Sequence, residues 1–169
     1  MKNILSILFL FISGSFAFGQ SISLEEARKA YVESMNSKEA CEAAYKKTSS
    51  LPLSENHLLM GYKAAISIAM SKHLKTAKEK IAHFNKGKQL LESSILKDEK
   101  NVELRFLRFS IQSNCPPALK YNKNISIDKK YIIDNLAAVQ SSSIRSRIKE
   151  FMLQSKNISL EEKQKLNAI

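Results

Sequence analysis

Residues 84–121 read FNKGKQLLESSILKDEKNVELRFLRFSIQSNCPPALKY, and the spacing of their apolar side chains decides the fold. Phe84, Leu91 and Ile95 recur at the three-to-four-residue interval of one helical face, with Gly87 and Ser94 as small residues between them. Lys97, Asp98, Glu99, Lys100 and Asn101 interrupt that pattern. Asn101 is a good first cap for a new helix, and Glu103 suits its positive end. The second helix, Val102 to Ser113, is about 18 Å long and stops short of Pro116-Pro117. Two amphipathic helices joined by a polar turn predict a helical hairpin.

On the second helix, at 100° per residue, Val102, Phe106 and Phe109 fall together, and Leu104, Leu107 and Ile111 form another apolar group. Two polar stripes remain. Arg105, Arg108 and Gln112 make one; Glu103, Ser110 and Asn114 make the other. Polar residues on an otherwise packed helix need a partner, so Glu103, Arg105, Arg108, Gln112 and Asn114 are the candidate partner-binding residues. The competing reading gives Glu103 to the helix end and the arginines to carboxylates on neighbouring helices, which planar guanidinium groups suit.

The stretch resembles the junction between consecutive tetratricopeptide repeats. Gly87, Leu91 and Ser94 stand at that family's small, large and small positions, with Glu99 where the family carries proline, and no clear second copy occurs at its 34-residue period. The resemblance covers roughly a quarter of the chain and implies that Glu103, Phe106, Ser110, Ser113 and Asn114 face a concave groove. Separately, the run Asn101-x-Glu103-x-Arg105-Phe106-Leu107-Arg108-x3-Gln112-x-Asn114-x-Pro116 is similar to the central motif of a family of small exported bacterial proteins with no assigned activity. That resemblance implies export and a helical fold, and no reaction.

Upstream, Lys2 precedes an apolar run from Ile4 to Ile12, followed by the small residues Ser13, Gly14, Ser15, Ala17 and Gly19. This is the pattern of a secretory signal peptide over 1–19. The run falls short of the about 20 residues that span a bilayer, so the expectation is a leader, no membrane span after its removal, and a single helical domain over 20–169 that is periplasmic or secreted. A domain of that size buries roughly 70% of its unfolded surface. With Gly at 4 and Pro at 3 in 169 residues, its composition favours helices.

Ser23-Leu24-Glu25-Glu26 is a capping box behind Ile22, and opens a helix to about Met35. Ser37 caps a second helix, carrying Ala40, Cys41, Ala44 and Tyr45, that stops before Pro52. Ser54 is expected to open a longer helix in which Leu58, Leu59, Tyr62, Ala65, Ile66, Ala69 and Met70 form an apolar stripe wide enough for burial on more than one side. The periodicity continues toward Lys97, but Thr76-Ala77-Lys78-Glu79 is a second capping box and marks a break. Later helices are expected from Asp128 to Gln140, with Tyr131, Ile132, Leu136 and Val139, and around Ile144, Ile148, Phe151 and Met152. Ile158 to Glu162 repeats the pentapeptide of Ile22 to Glu26, a shared capping solution rather than a duplication, since the flanks differ. The expected fold is all-α: about seven to nine helices stacked as antiparallel hairpins in a tetratricopeptide-like arrangement.

Catalytic signatures are sparse. His57, His73 and His83 have no i, i+4 pair for a helical zinc site, and no nucleophile elbow, phosphate loop or dinucleotide glycine pattern occurs. No cofactor is expected. Cys41, among Ala40, Ala43 and Ala44, reads as a packed thiol and Cys115 likewise, the alternative being one disulfide between them. Lys and Arg outnumber Asp and Glu by 27 to 16, which favours anionic neighbours in general; no aromatic-basic motif points to nucleic acid. The expected function is a non-catalytic adaptor holding a protein or peptide in the cell envelope. The alternatives are a basic protein on an anionic envelope polymer or lipid headgroup, and an enzyme whose site gathers His57, Glu103 and a cysteine.

Overall fold

The computed structural model describes residues 22–169, and the leader expected over 1–19 lies outside them. Eight α-helices follow one another in the described residues: α1 (Leu24–Glu33), α2 (Lys38–Ser49), α3 (His57–Ser71), α4 (Ala77–Lys97), α5 (Val102–Ser113), α6 (Ile125–Asn135), α7 (Ser142–Gln154) and α8 (Leu160–Asn167). No strand occurs among these residues, so the fold is all-α. No helix among them is long and apolar enough to cross a membrane.

Local chemistry sets most of the boundaries. The Ser23, Thr76 and Ser159 hydroxyls each accept from the amide three residues on, while Glu26, Glu79 and Glu162 reach back to the capping residue's own amide. These boxes satisfy donors that the first turn of a helix leaves orphaned. The Thr76 box is what separates α3 from α4 where apolar periodicity runs on. At the turn after α4, Asn101 accepts from Leu104 N at 3.1 Å and donates to Asp98 at 2.8 Å, closing the hairpin into α5.

Four boundaries, on three helices, differ from the sequence reading. Helix α3 is capped by Asn56, whose Oδ1 accepts from Leu59 N at 2.9 Å, because Ser54 uses its hydroxyl on Asn56 N. Helix α1 ends at Glu33, two residues early, where the Ser34 hydroxyl donates back to Tyr31 O at 2.6 Å. Helix α6 begins at Ile125, not Asp128, and ends at Asn135 in a 3-10 turn over Leu136–Ala138. Asp128 thus sits in the first turn with its side chain turned inward.

Helix α3 is the centre, packing against α1, α2, α4 and α5. Its buried residues run from Met60 and Gly61 through Ala64, Ala65 and Ile66 to Ile68 and Ala69, covering more than one face. Its contact with α4 is unusually close. A Cβ placed on Gly87 would lie 2.7 Å from Ile68 Cγ1 and 3.0 Å from Ala64 O, so the small residue is required there by backbone approach. One core gathers Tyr62, Ala65, Phe84, Leu91, Leu104 and Leu107 from α3, α4 and α5. A second gathers Phe109, Ile132, Leu136, Ile148, Met152 and Leu166 from α5 to α8. Helix α5 contributes to both.

Candidate binding cleft

The sequence-nominated residues of α5 are drawn into two ionic centres inside the protein. Glu103, 7% exposed, accepts from Arg28 Nε at 3.0 Å and Nη2 at 2.5 Å and from the Tyr62 hydroxyl at 2.9 Å. This joins α1, α3 and α5. The bond to Glu103, opposed by partial burial, raises the Arg28 pKa, while burial first and Glu103 second push the Tyr62 hydroxyl well above its usual range.

The other centre is larger. Asp128 is 0% exposed and accepts from Arg108 at 2.7 and 2.8 Å and from Arg105 at 3.2 Å. Arg108 also donates to Glu92 at 2.6 Å, and Glu92 accepts from the Tyr121 hydroxyl at 2.6 Å. Arg105 donates to Glu99 O at 2.8 Å and lies 4.3 Å over the Tyr131 ring. Burial disfavours the Arg108 charge, but Asp128 and then Glu92 outweigh it and hold the guanidinium ionised. Two cations face two carboxylates, so the centre is balanced, as a buried charge requires. Gln112 completes the seam by accepting from Asn124 N at 3.0 Å and donating to Asn124 Oδ1 at 3.2 Å, which starts α6 in place of a side-chain cap.

Four of the five nominated residues, Glu103, Arg105, Arg108 and Gln112, are therefore tied to side chains or backbone of other elements, and the fifth bonds only within its own helix. Asn114, exposed, donates to Ser110 O at 2.9 Å and borders open space.

That space is a cleft of about 1270 Å³. One wall comes from the end of α1, the end of α3 and the start of α4: Tyr31, Val32, Met35, Ala69, Ile81 and Phe84. The other comes from α7: Ile144, Arg147, Ile148, Phe151 and Gln154. Phe106, Ser110, Ile111 and Asn114 of α5 form the floor, with Cys115 and Leu119 beyond. Phe106, Ser110 and Asn114 are three of the five positions that the repeat resemblance directs to a groove. Glu103 lies beneath, and the Ser113 hydroxyl is buried without a partner.

Aromatic packing links the floor to the walls. Tyr31 meets Tyr62 edge-on at 5.9 Å between ring centres and shares a 3.1 Å hydrogen bond with Ser110. Phe151 stands edge-on to Phe106 at 5.3 Å and to Phe109 at 6.2 Å. The rim gathers three exposed large apolar residues on one opening: Val32 is 47% exposed, Met35 51% and Ile81 49%. Lys72, Lys80 and Arg147 also border the opening, are exposed, and have no salt bridge among the described residues. Glu150 is the acidic residue of the lining.

The groups expected of an enzymatic site are dispersed. His57 sits near Glu55 at the start of α3, outside the cleft lining, and Glu103 is closed by Arg28 and Tyr62. His83 lies 3.1 Å from Ser67 O and 3.1 Å from the Tyr45 hydroxyl, tying α2, α3 and α4 together. Both thiols are free. Cys41 is buried, Cys115 is half-buried on the cleft, and burial pushes both thiols up, with Lys72 acting against it. A thiol shifted upward is a weaker nucleophile at neutral pH. Among the described residues no group of three His, Cys, Asp or Glu side chains is arranged to hold a metal ion.

No family model, curated protein or solved structure matches the chain.

Two features of the site were out of reach of sequence reasoning, and one was not. Arg28 and Tyr62 are 75 and 41 residues from Glu103, and nothing local pairs them. Val32, Met35 and Ile81 have the spacing of core residues, so periodicity alone assigns them to an interior. Asp128, however, stands four and eight residues before Ile132 and Leu136, on their helical face. A lone carboxylate on a packing face announces a buried cation, and the two arginines of α5 were the candidates.

Proposed function

We propose that this is a non-catalytic adaptor that holds a protein or peptide partner in the cleft between α1, α3, α4 and α7, working in the cell envelope after export. One observation carries the reading: an open, mostly apolar cleft of about 1270 Å³ whose rim leaves Val32, Met35 and Ile81 half-exposed. Contiguous apolar surface bordered by polar groups marks an interaction site. Its size exceeds the roughly 300–1,000 Å³ of ordinary small-molecule pockets, which favours a polypeptide. The partner surface proposed here keeps Asn114 from the α5 stripes and replaces the other four residues with the cleft rim.

The unpaired Lys72, Lys80 and Arg147 lend support to a second reading, an anionic envelope polymer or lipid headgroup held at the rim. The two readings separate in one experiment. Capture from envelope extracts by the purified protein, at low and high salt, is compared with capture by Ile81→Glu. The adaptor reading expects a partner retained at high salt and lost in Ile81→Glu with an unchanged thermal midpoint. Capture that ignores Ile81→Glu and vanishes in salt overturns it in favour of the polymer.

A further inference from the structure

The chemistry of the cleft narrows its occupant. An extended peptide needs donors and acceptors from a sheet edge to match its own backbone, and no strand occurs among the described residues. Most of the lining is side chains of α1, α3, α4, α5 and α7, whose interior backbone groups are already paired within their helices. A helix arrives with its backbone satisfied and presents only side chains. A helical segment about 10 Å across and three turns long occupies on the order of 1300 Å³, the scale of the cleft at about 1270 Å³. A single acyl chain is far thinner than a helix and would leave part of the exposed apolar rim of Val32, Met35 and Ile81 uncovered.

Charge decides the rest. Lys72, Lys80 and Arg147 border the opening without a salt bridge among the described residues, and Glu150 alone opposes them. From this geometry we propose that the cleft seats an acidic amphipathic helix of a protein partner. Its apolar face, with residues at i, i+3 or i+4 and i+7, packs on Val32, Met35, Ile81, Phe106 and Phe151, and its flanking Asp or Glu residues meet Lys72, Lys80 and Arg147. This rests on the peptide-binding reading above and adds the partner's secondary structure and charge.

The test uses purified protein and three labelled helical peptides of about 18 residues, long enough to be helical only in part when free. They share one set of leucine anchors and carry glutamate, glutamine or lysine on the flanks. Binding is read by fluorescence anisotropy, with palmitate as a competitor. The glutamate peptide binds about tenfold tighter than the glutamine peptide, the lysine peptide weaker than both, and added salt shrinks the difference. Ile81→Glu abolishes binding of all three. Lys72→Glu/Lys80→Glu/Arg147→Glu removes the glutamate preference while glutamine-peptide binding persists. Lys86→Glu/Lys123→Glu/Lys156→Glu, which lowers net charge equally away from the cleft, keeps the preference. Equal binding of the three peptides, or equal loss in the two triple variants, overturns the acidic assignment and leaves the peptide reading standing. Failure of every peptide to bind, with or without binding of palmitate, overturns both.

Discussion

The helices before α5 and those after it are held to it by different means. Before it, the Arg28–Glu103 and Arg108–Glu92 pairs reach α5 from α1 and α4, but close contact also depends on missing atoms: Gly87 lets α4 lie against the backbone of α3, and a Cβ on Gly61 of α3 would overlap Leu104 of α5. After it, the core is built from large aliphatic side chains, and the connection to α5 runs through Arg105, Arg108 and the fully buried Asp128. The first half should therefore resist added volume and the second half lost charge. The cleft opens where the two halves face each other across α5, because α1 and α4 on one side and α7 on the other leave apolar residues that neither covers.

The sharpest way to break this contrast is at Asp128. Asp128→Asn keeps the shape and removes the charge that two guanidiniums share, so stability should fall by about 3–5 kcal/mol, as for other buried pairs that lose one partner. Urea denaturation gives the value; a loss under about 1 kcal/mol would mean that water or Glu92 replaces the carboxylate. In the first half, Gly87→Ala adds one methyl group against the α3 backbone. Overpacking of about 1–3 kcal/mol outweighs a helix-propensity gain of at most about 1 kcal/mol, and a stabilised Gly87→Ala would refute the close α3–α4 approach.

Smaller still is Thr76→Ala at the break between α3 and α4. Loss of its 3.2 Å bond from Glu79 N should cost about 1 kcal/mol, where a threonine within one continuous rod would cost nothing. The smallest effect belongs to the exposed pair of Glu26 and Lys47, 3.2 Å apart. Its bonds from the Ser23 amide and hydroxyl, with Lys47, hold the Glu26 carboxyl down at about 2. A lowered carboxylate pKa adds stability above the ordinary carboxylate range that is lost as pH falls toward about 2. The gap between wild type and Glu26→Gln should thus be present at neutral pH and close in acid. A gap independent of pH would assign the effect to something other than the charge.

Most of the helical architecture was legible because its signals are local. Serines 23, 37 and 159, Thr76 and Asn101 announce helix starts through atoms three residues away, and each does so in the structure. Where a cap competes with a neighbour the reading slipped: Ser54 yielded to Asn56, and Gln112 of α5 replaced any side-chain cap on α6. The site was less legible for a different reason. Spacing on α5 correctly isolates Glu103, Arg105, Arg108, Gln112 and Asn114 as polar residues that need partners. It cannot tell a partner in another protein from Arg28 or Asp128 in the same chain, since that depends on contacts far apart in sequence. The competing assignment of the arginines to neighbouring carboxylates is the one the geometry follows.

The central claim is that the polar stripe on α5 holds the molecule together while the cleft rim is free to bind. Thermal midpoints of two variants, measured side by side, test it most directly. Arg105→Ala/Arg108→Ala leaves Asp128 buried without a cation, and a loss of about 3–5 kcal/mol lowers the midpoint by roughly 10 °C. Ile81→Glu, on an exposed rim, should leave it within about 2 °C, as surface substitutions do. An unmoved midpoint in the arginine variant, or a collapse in Ile81→Glu, would contradict the account.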